Sequence, residues 1–242
     1  RLQQIRPARL FEEVLKLLLH GQALETLRLL REYQLFGHLF PLAEQCMRDD
    51  PQALTMAENT MRNTDERIRA GKSVTPYFFM ASLLWPALVR TQREFEQRGL
   101  PPHPALQKAA DRVLSQQIQA TAIPKRFSIP MREIWELQPR LAKTQSRRCV
   151  ELLTHPRFRA AYDFVLLREQ SGENLSGIGK FWTDLQEQHP GLVGSRPPRH
   201  EENDGEGRGE RPRVQQGFSQ NDDAPRKRRR PRSRNRRPPA AH

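Results

Sequence analysis

Cysteine is nearly absent from this 242-residue sequence: Cys46 and Cys149 stand about a hundred residues apart, and neither belongs to a CxxC pair. That excludes a disulfide scaffold and a zinc-ribbon type of site. Two reduced thiols in a cytoplasmic protein are expected instead. Long apolar runs are missing too. The longest, Phe78–Val89, is twelve residues and is interrupted by Ser82 and Pro86, whereas a membrane span needs roughly 18 or more. No N-terminal stretch has the basic, apolar, small-residue order of a signal peptide. The catalytic signatures GxGxxG, the Walker loop, GxSxG and HExxH are all lacking. The seven histidines are scattered without ligand spacing, so no metal site and no catalytic residue is assigned. Two-metal nucleotidyl transfer needs closely placed carboxylates. The adjacent pairs Asp49-Asp50 and Asp222-Asp223 read as a helix cap and a tail element.

What is present is dense helical punctuation. Leu10, Phe11, Val14, Leu15 and Leu18 recur at three- and four-residue spacing up to Gly21. Leu24, Leu27, Leu30 and Tyr33 continue on a second helix, which Gly37 is expected to end. Asp50-Pro51 opens a third helix through Leu54, Ala57, Met61 and Ile68, closed by Gly71. An Asp cap followed by a first-turn Pro suits a helix start. Thr75-Pro76 repeats the device before the most apolar helix, 76–97, which Pro86 should kink or break. Pro104 starts a helix through Val113 and Ile118, and 123–126 reads as a turn. Helices follow over 129–143 (weakened by Pro139), 146–154, 157–170 and 174–188, the last weakened by Gly177 and Gly179. No period-two strand and no fixed-period repeat occurs. The fold class is all-α, an irregular body of nine or ten helices.

Beyond Pro190 aromatics almost vanish, and Gly, Pro, Arg and Glu dominate. Such a segment buries too little apolar surface to offset its ordering entropy and is expected to be a disordered basic tail. The formal charge of +13 divides accordingly: 14 basic against 7 acidic residues over 191–242, and 27 against 21 over 1–190. Nine of the twelve residues 226–237 are basic: Arg226, Lys227, Arg228, Arg229, Arg230, Arg232, Arg234, Arg236 and Arg237. Arginine forks suit phosphates, so this block reads as a nucleic-acid grip rather than a solubilising tail or an acidic-protein dock.

In the body, Lys125, Arg126, Arg140, Lys143, Arg147, Arg148, Arg157 and Arg159 cluster within about 35 residues of chain, mostly at turns and helix starts. Two readings stand side by side. One is a groove for a nucleic-acid backbone. The other is a solvated basic face with partners such as Arg147 with Glu151. Most aromatics, Phe78, Phe79, Trp85, Phe95, Phe181 and Trp182, fall at core spacing. Tyr33, Phe127 and Tyr162 remain as stacking candidates.

Four segments carry a resemblance. Arg9-Leu-Phe-Glu-Glu13-Val-Leu-Lys16-Leu-Leu is similar to the neck helix that follows the catalytic head in bacterial poly(A) polymerases and CCA-adding enzymes. Asn63-Thr-Asp-Glu-Arg-Ile68, Ile123-Pro-Lys-Arg126 and His155-Pro-Arg-Phe-Arg-Ala-Ala-Tyr-Asp163 resemble body and C-terminal signatures of the bacterial poly(A) polymerase branch. The match covers about 5–185, and the arginine-rich end fits the same branch. The resemblance implies three parts: neck and first body helices over 1–40, a helical RNA-binding body over 41–190, and the tail over 191–242. It implies an enzyme that adds AMP from ATP to the 3′ ends of single-stranded RNA, with Mg²⁺ held on a head. The start at Arg1 within helix-like sequence suggests a fragment without that head, expected to be inactive alone. Arg9, Glu13 and Lys16 would then brace head against body, and the basic body residues would line the RNA path. A CCA-adding fragment and a non-enzymatic all-α RNA-binding or scaffold module, whose tail recruits RNA-decay proteins, are the alternatives.

Overall fold

A computed structural model describes residues 7–193, and these form eleven α-helices and no strand. In chain order they are α1 (Pro7–Leu18), α2 (Ala23–Glu32), α3 (Phe36–Leu39), α4 (Pro41–Asp49), α5 (Pro51–Arg69), α6 (Pro76–Gln97), α7 (Pro102–Ala120), α8 (Lys125–Leu141), α9 (Cys149–Leu153), α10 (Phe158–Gln170) and α11 (Ile178–Gln188). Proline begins α1 and α4 to α7. Its fixed φ suits a helix start, and the missing N–H is one that no helix turn would pair. Asp50 adds the expected cap, its carboxylate accepting the Gln52 N–H at 2.8 Å.

α6 runs through the middle of the main core. It buries ten residues between Phe79 and Thr91 and touches α4, α5, α7 and α8. Pro86 does not interrupt it. Apolar faces of α1 to α5, α7 and α8 close around it, joined by Phe164 and Leu167 of α10. Trp135 of α8 is fully buried here, its indole N–H donating to the Ala81 carbonyl at 3.1 Å. A second, smaller cluster gathers Leu137 and Leu141 of α8, Leu152 and Leu153 of α9, Phe158, Tyr162 and Val165 of α10, and Trp182 of α11. Trp182 is equally buried, and its N–H donates to the Leu141 carbonyl at 2.9 Å.

Several boundaries differ from the sequence reading. Gly37 does not end α2. The helix stops at Glu32, Gln34 takes a left-handed φ of 56°, and Gly37 lies inside the one-turn α3, against the stem of Glu44. Lys125 and Arg126 are not in a turn but open α8, with Pro124 as its N-cap. α8 continues through Pro130 and Pro139 to Leu141. Each proline removes one donor, and burial of Met131, Ile134, Trp135, Leu137 and Leu141 outweighs the loss. α11 starts at Ile178 rather than 174, because Gly177 adopts a left-handed φ of 78°.

Candidate nucleic-acid interface

The predicted body cations fall into three groups. Lys125 and Arg126 are exposed on the first turn of α8. Arg126 lies over the Phe127 ring at 4.9 Å, and Phe127 packs on Phe11 of α1 at 5.3 Å. The preceding loop is tied to the start of α1, where the Ala122 N–H donates to the Pro7 carbonyl at 3.1 Å. Arg140, Lys143, Arg147 and Arg148 are exposed around the other end of α8 and the 142–148 connection. Helical rise puts the two groups about 21 Å apart along α8, so they form two patches rather than one. Among the described residues, none of these six cations makes an ion pair. The Arg147 to Glu151 pair that the solvated-face reading offered is not formed.

Arg157 and Arg159 differ, for both have carboxylate partners. Arg157 donates to Glu133 on α8 at 2.7 Å and lies over the Tyr77 ring at 5.3 Å. The Glu133 hydrogen bond holds its guanidinium above the usual range. Arg159 meets Asp163 at 3.1 Å, one turn on. His155 lies within electrostatic reach of Arg140 and Arg157. Its Nδ1 accepts the Arg157 N–H at 3.1 Å. Burial first and Arg140 next push its pKa below the usual value, against an opposing pull from Glu133, and Arg157 adds the smallest push.

The neck-like residues Arg9, Glu13 and Lys16 are all exposed on α1, and Lys16 pairs with Glu13 at 3.0 Å. Of the stacking candidates, Tyr162 is closed off. It is 6% exposed, and its hydroxyl is 2.7 Å from Thr183 Oγ1. Tyr33 is open at 68%, and Phe127 is partly buried against the core.

Sequence reasoning missed a groove of about 710 Å³. It runs between the C-terminal half of α5, the 70–75 loop, the start of α6 and α10. The segments beginning at Asn63 and His155, some ninety residues apart, converge on it. Asn63, Thr64, Glu66 and Arg67 come from the first, and Pro156, Arg159, Ala160 and Asp163 from the second. Their near repetition of family signatures was the available signal. Arg67 gives two N–H donors to the Ser73 carbonyl, at 3.1 and 3.4 Å, and makes no ion pair, though its charge also acts on Asp163. Lys72 is exposed and unpaired among the described residues. Tyr77 and Phe78 supply aromatic surface, and Phe78 is held edge-on by Phe164 at 5.8 Å. Burial pushes the Asp163 carboxyl up, opposed by Arg159 and Arg67. Three cations thus face two carboxylates, an excess that suits a single phosphate.

Asp65, in the same segment, does something else. Buried on α5, it accepts the Ala23 and Leu24 N–H groups at 2.6 and 3.1 Å and so caps α2 from another helix.

No three His, Cys, Asp or Glu side chains converge as metal ligands among the described residues. The resemblance places Mg²⁺ on the head rather than on these residues, and no catalytic step is assigned to them. No described helix is long and apolar enough to cross a membrane. The arginine block 226–237 lies outside the described residues.

Two family descriptions match the chain: "Polymerase A arginine-rich C-terminus" over residues 98–237, and "Probable RNA and SrmB-binding site of polymerase A" over residues 1–47. The chain is 40% identical over 194 residues to poly(A) polymerase I of Escherichia coli, covering 78% of this chain and 42% of that protein. It is 39% identical to the Salmonella typhi protein of the same name. It is 35% identical over 190 residues to that of Haemophilus influenzae, with 76% and 42% covered. The chain thus spans about two fifths of the length of these relatives. The C-terminal match extends over more than half of the residues and takes in α7 to α11 and the arginine block, so the chain belongs to the arginine-rich C-terminal family of bacterial poly(A) polymerase I.

Proposed function

We propose that this chain is the RNA-binding, C-terminal part of a poly(A) polymerase, an enzyme that adds AMP from ATP to RNA 3′ ends. The observation that carries the proposal is the set of six exposed cations at the two ends of α8 that no carboxylate neutralises. Unpaired arginines and lysines at helix ends are placed to exchange counterions for phosphates. The matched relatives are poly(A) polymerases, and one matched family description names RNA. Lys125, Arg126, Arg140, Lys143, Arg147 and Arg148 contact the RNA backbone. Arg157 and Arg159 act as paired, oriented cations at the same edge. The block Arg226 to Arg237 adds a grip without base discrimination. Arg9, Glu13 and Lys16 on α1 face the catalytic head. ATP and Mg²⁺ are bound by that head, in the cytoplasm, and RNA-decay proteins meet the tail.

Two measurements test this. Single-stranded RNA should bind the chain with a salt slope of roughly −0.7 per phosphate contact. Charge reversal at Arg147 and Arg148 together should weaken binding at low salt. Incubation with Mg²⁺-ATP and an oligo(A) primer should give no elongation. Absence of RNA binding, or robust elongation, overturns the proposal.

A further inference from the structure

We infer that the groove between α5 and α10 continues the RNA path from the cations of 140–148. It stacks one base on Tyr77 and Phe78, whichever base that is, and sets Lys72 on the adjoining phosphate. This rests on the reading that the chain binds RNA and adds where a base is held.

The groove offers a stacking surface more than a reading edge. Its volume of about 710 Å³ falls in the range of small-ligand sites. Tyr77 and Phe78 line it, and the groups that hold them do not. Arg157 lies over the Tyr77 ring at 5.3 Å and is itself fixed by Glu133, and Phe164 meets Phe78 edge-on at 5.8 Å. Both rings are thus set in place before any ligand arrives. On α10, Leu166 adds apolar wall and is 37% exposed. Every base has a face that such surfaces can cover, so stacking of this kind tolerates any sequence. The polar side chains of the groove are mostly engaged within the protein. Thr60 and Thr64 donate to backbone carbonyls, and Asn63 is bonded to Gln170 at 2.9 Å. That leaves little to tell one base edge from another.

Charge and position tie the groove to RNA. Arg67 and Arg159 both act on Asp163. Lys72, in the 70–75 loop, is exposed and makes no ion pair among the described residues, which leaves it to meet a phosphate. The segment 155–159 joins the groove to the end of α8. Pro156 and Arg159 line the groove, while His155 is within electrostatic reach of Arg140. A strand lying on the unpaired cations of 140–148 therefore has the groove beside it, and single strands are commonly held with bases splayed onto aromatic side chains.

The full chain should be titrated, over a range of salt concentrations, with oligo(A), with oligo(U) and with an abasic ribose-phosphate strand of equal length. Tyr77→Leu should weaken both oligomers by about tenfold and leave the abasic strand and the salt slope unchanged. Lys72→Ala should weaken all three strands equally and flatten the slope by about 0.7. Leu166→Ser, on the groove wall, should weaken the two oligomers alone, and by less than Tyr77→Leu does. Circular dichroism and melting check that each variant folds, and if Tyr77→Leu melts early, Leu166→Ser carries the stacking test. Oligomer affinities that ignore both substitutions, or an equal loss for the abasic strand, overturn this inference and leave the RNA-binding reading standing. A loss confined to one of the two oligomers overturns it as well, since the groove would then be reading a base edge. No RNA binding by the unaltered chain removes both.

Discussion

The two hydrophobic clusters share α8 and α10 but are closed in different ways. The main cluster surrounds α6 on several sides and draws its side chains from nine helices. The second is assembled from short helices and is fastened by polar contacts. These are Trp182 to the Leu141 carbonyl, Tyr162 to Thr183, and the Glu169 carboxylate to the Gly179 N–H at 2.9 Å. Gln138 and Arg168 join the two. The buried Gln138 amide donates to the Ala161 carbonyl at 3.2 Å, and its oxygen accepts from Arg168 at 2.8 Å. The basic connection 142–148 and the His155 segment belong to the second cluster. The expected RNA contacts thus sit mostly beside the smaller cluster.

The two tryptophans test this contrast most directly. Both are fully buried, and both donate to a backbone carbonyl. Trp135→Ala should cost about 4–5 kcal/mol and unfold the whole body cooperatively, because the cavity opens where several helices meet. Trp182→Ala should cost about 3 kcal/mol. It should raise amide exchange in α9 and α11 while α5 to α7 stay protected. Urea unfolding and hydrogen exchange would check both. Equal loss of protection everywhere after Trp182→Ala would show that the clusters form one cooperative unit.

A pair of carboxylate caps extends the comparison to smaller energies. Asp65 caps α2 across 42 residues of sequence and is buried, whereas Glu169 caps α11 across ten and is half-exposed. Asp65→Ala should cost about 2 kcal/mol, since two buried N–H groups lose their acceptor. Glu169→Ala should cost about 1 kcal/mol. Gly179 permits the second cap, because a Cβ there would collide with the Glu169 carboxylate and also crowd Leu166 Cδ2 at 2.9 Å. Gly179→Ala should therefore destabilise by about 1 kcal/mol alone and by less in the Glu169→Ala background, where only the Leu166 contact remains. Additive effects would mean that Gly179 serves some purpose other than admitting Glu169.

These caps show what the sequence carried and what it hid. The all-helical class, and helices opened by Pro51 and Pro76, were legible because proline and periodic apolar residues act locally. α4 was not. Its buried face includes Glu44, which pairs with Arg31 at 3.0 Å and Arg48 at 2.9 Å, so the face does not read as apolar. Gly177 and Gly179 read as weaknesses because the carboxylate that needs the missing Cβ comes from another helix. The basic residues were legible as a group. Their division into unpaired ones at the ends of α8 and paired ones at Arg157 and Arg159 depends on Glu133 and on helix geometry. The groove was hidden because its two segments lie some ninety residues apart, although each was conspicuous alone.

The smallest effect concerns His155, where the second cluster meets the cations. Its folded-state pKa lies below the unfolded value, with burial the largest cause and Arg140 next. Well above the unfolded value the ring is neutral in both states and contributes nothing to pH dependence. As pH falls below about 6.5, the unfolded chain takes up the proton first, so stability declines until the folded pKa is passed. His155→Asn can keep an acceptor for the Arg157 N–H but has no titrating ring. The fall in melting temperature between about pH 7.5 and pH 5.5 should therefore be smaller in this variant than in the parent. An equal fall would assign the acid sensitivity to other groups. Bound RNA sharpens the test. Phosphates beside Arg140 and Arg157 would offset the two charges that disfavour the imidazolium, so saturating oligo(A) should raise the His155 pKa in an NMR titration. A His155 pKa that ignores RNA, in a chain that still binds it, would move the contacts away from the second cluster and towards Lys125 and Arg126.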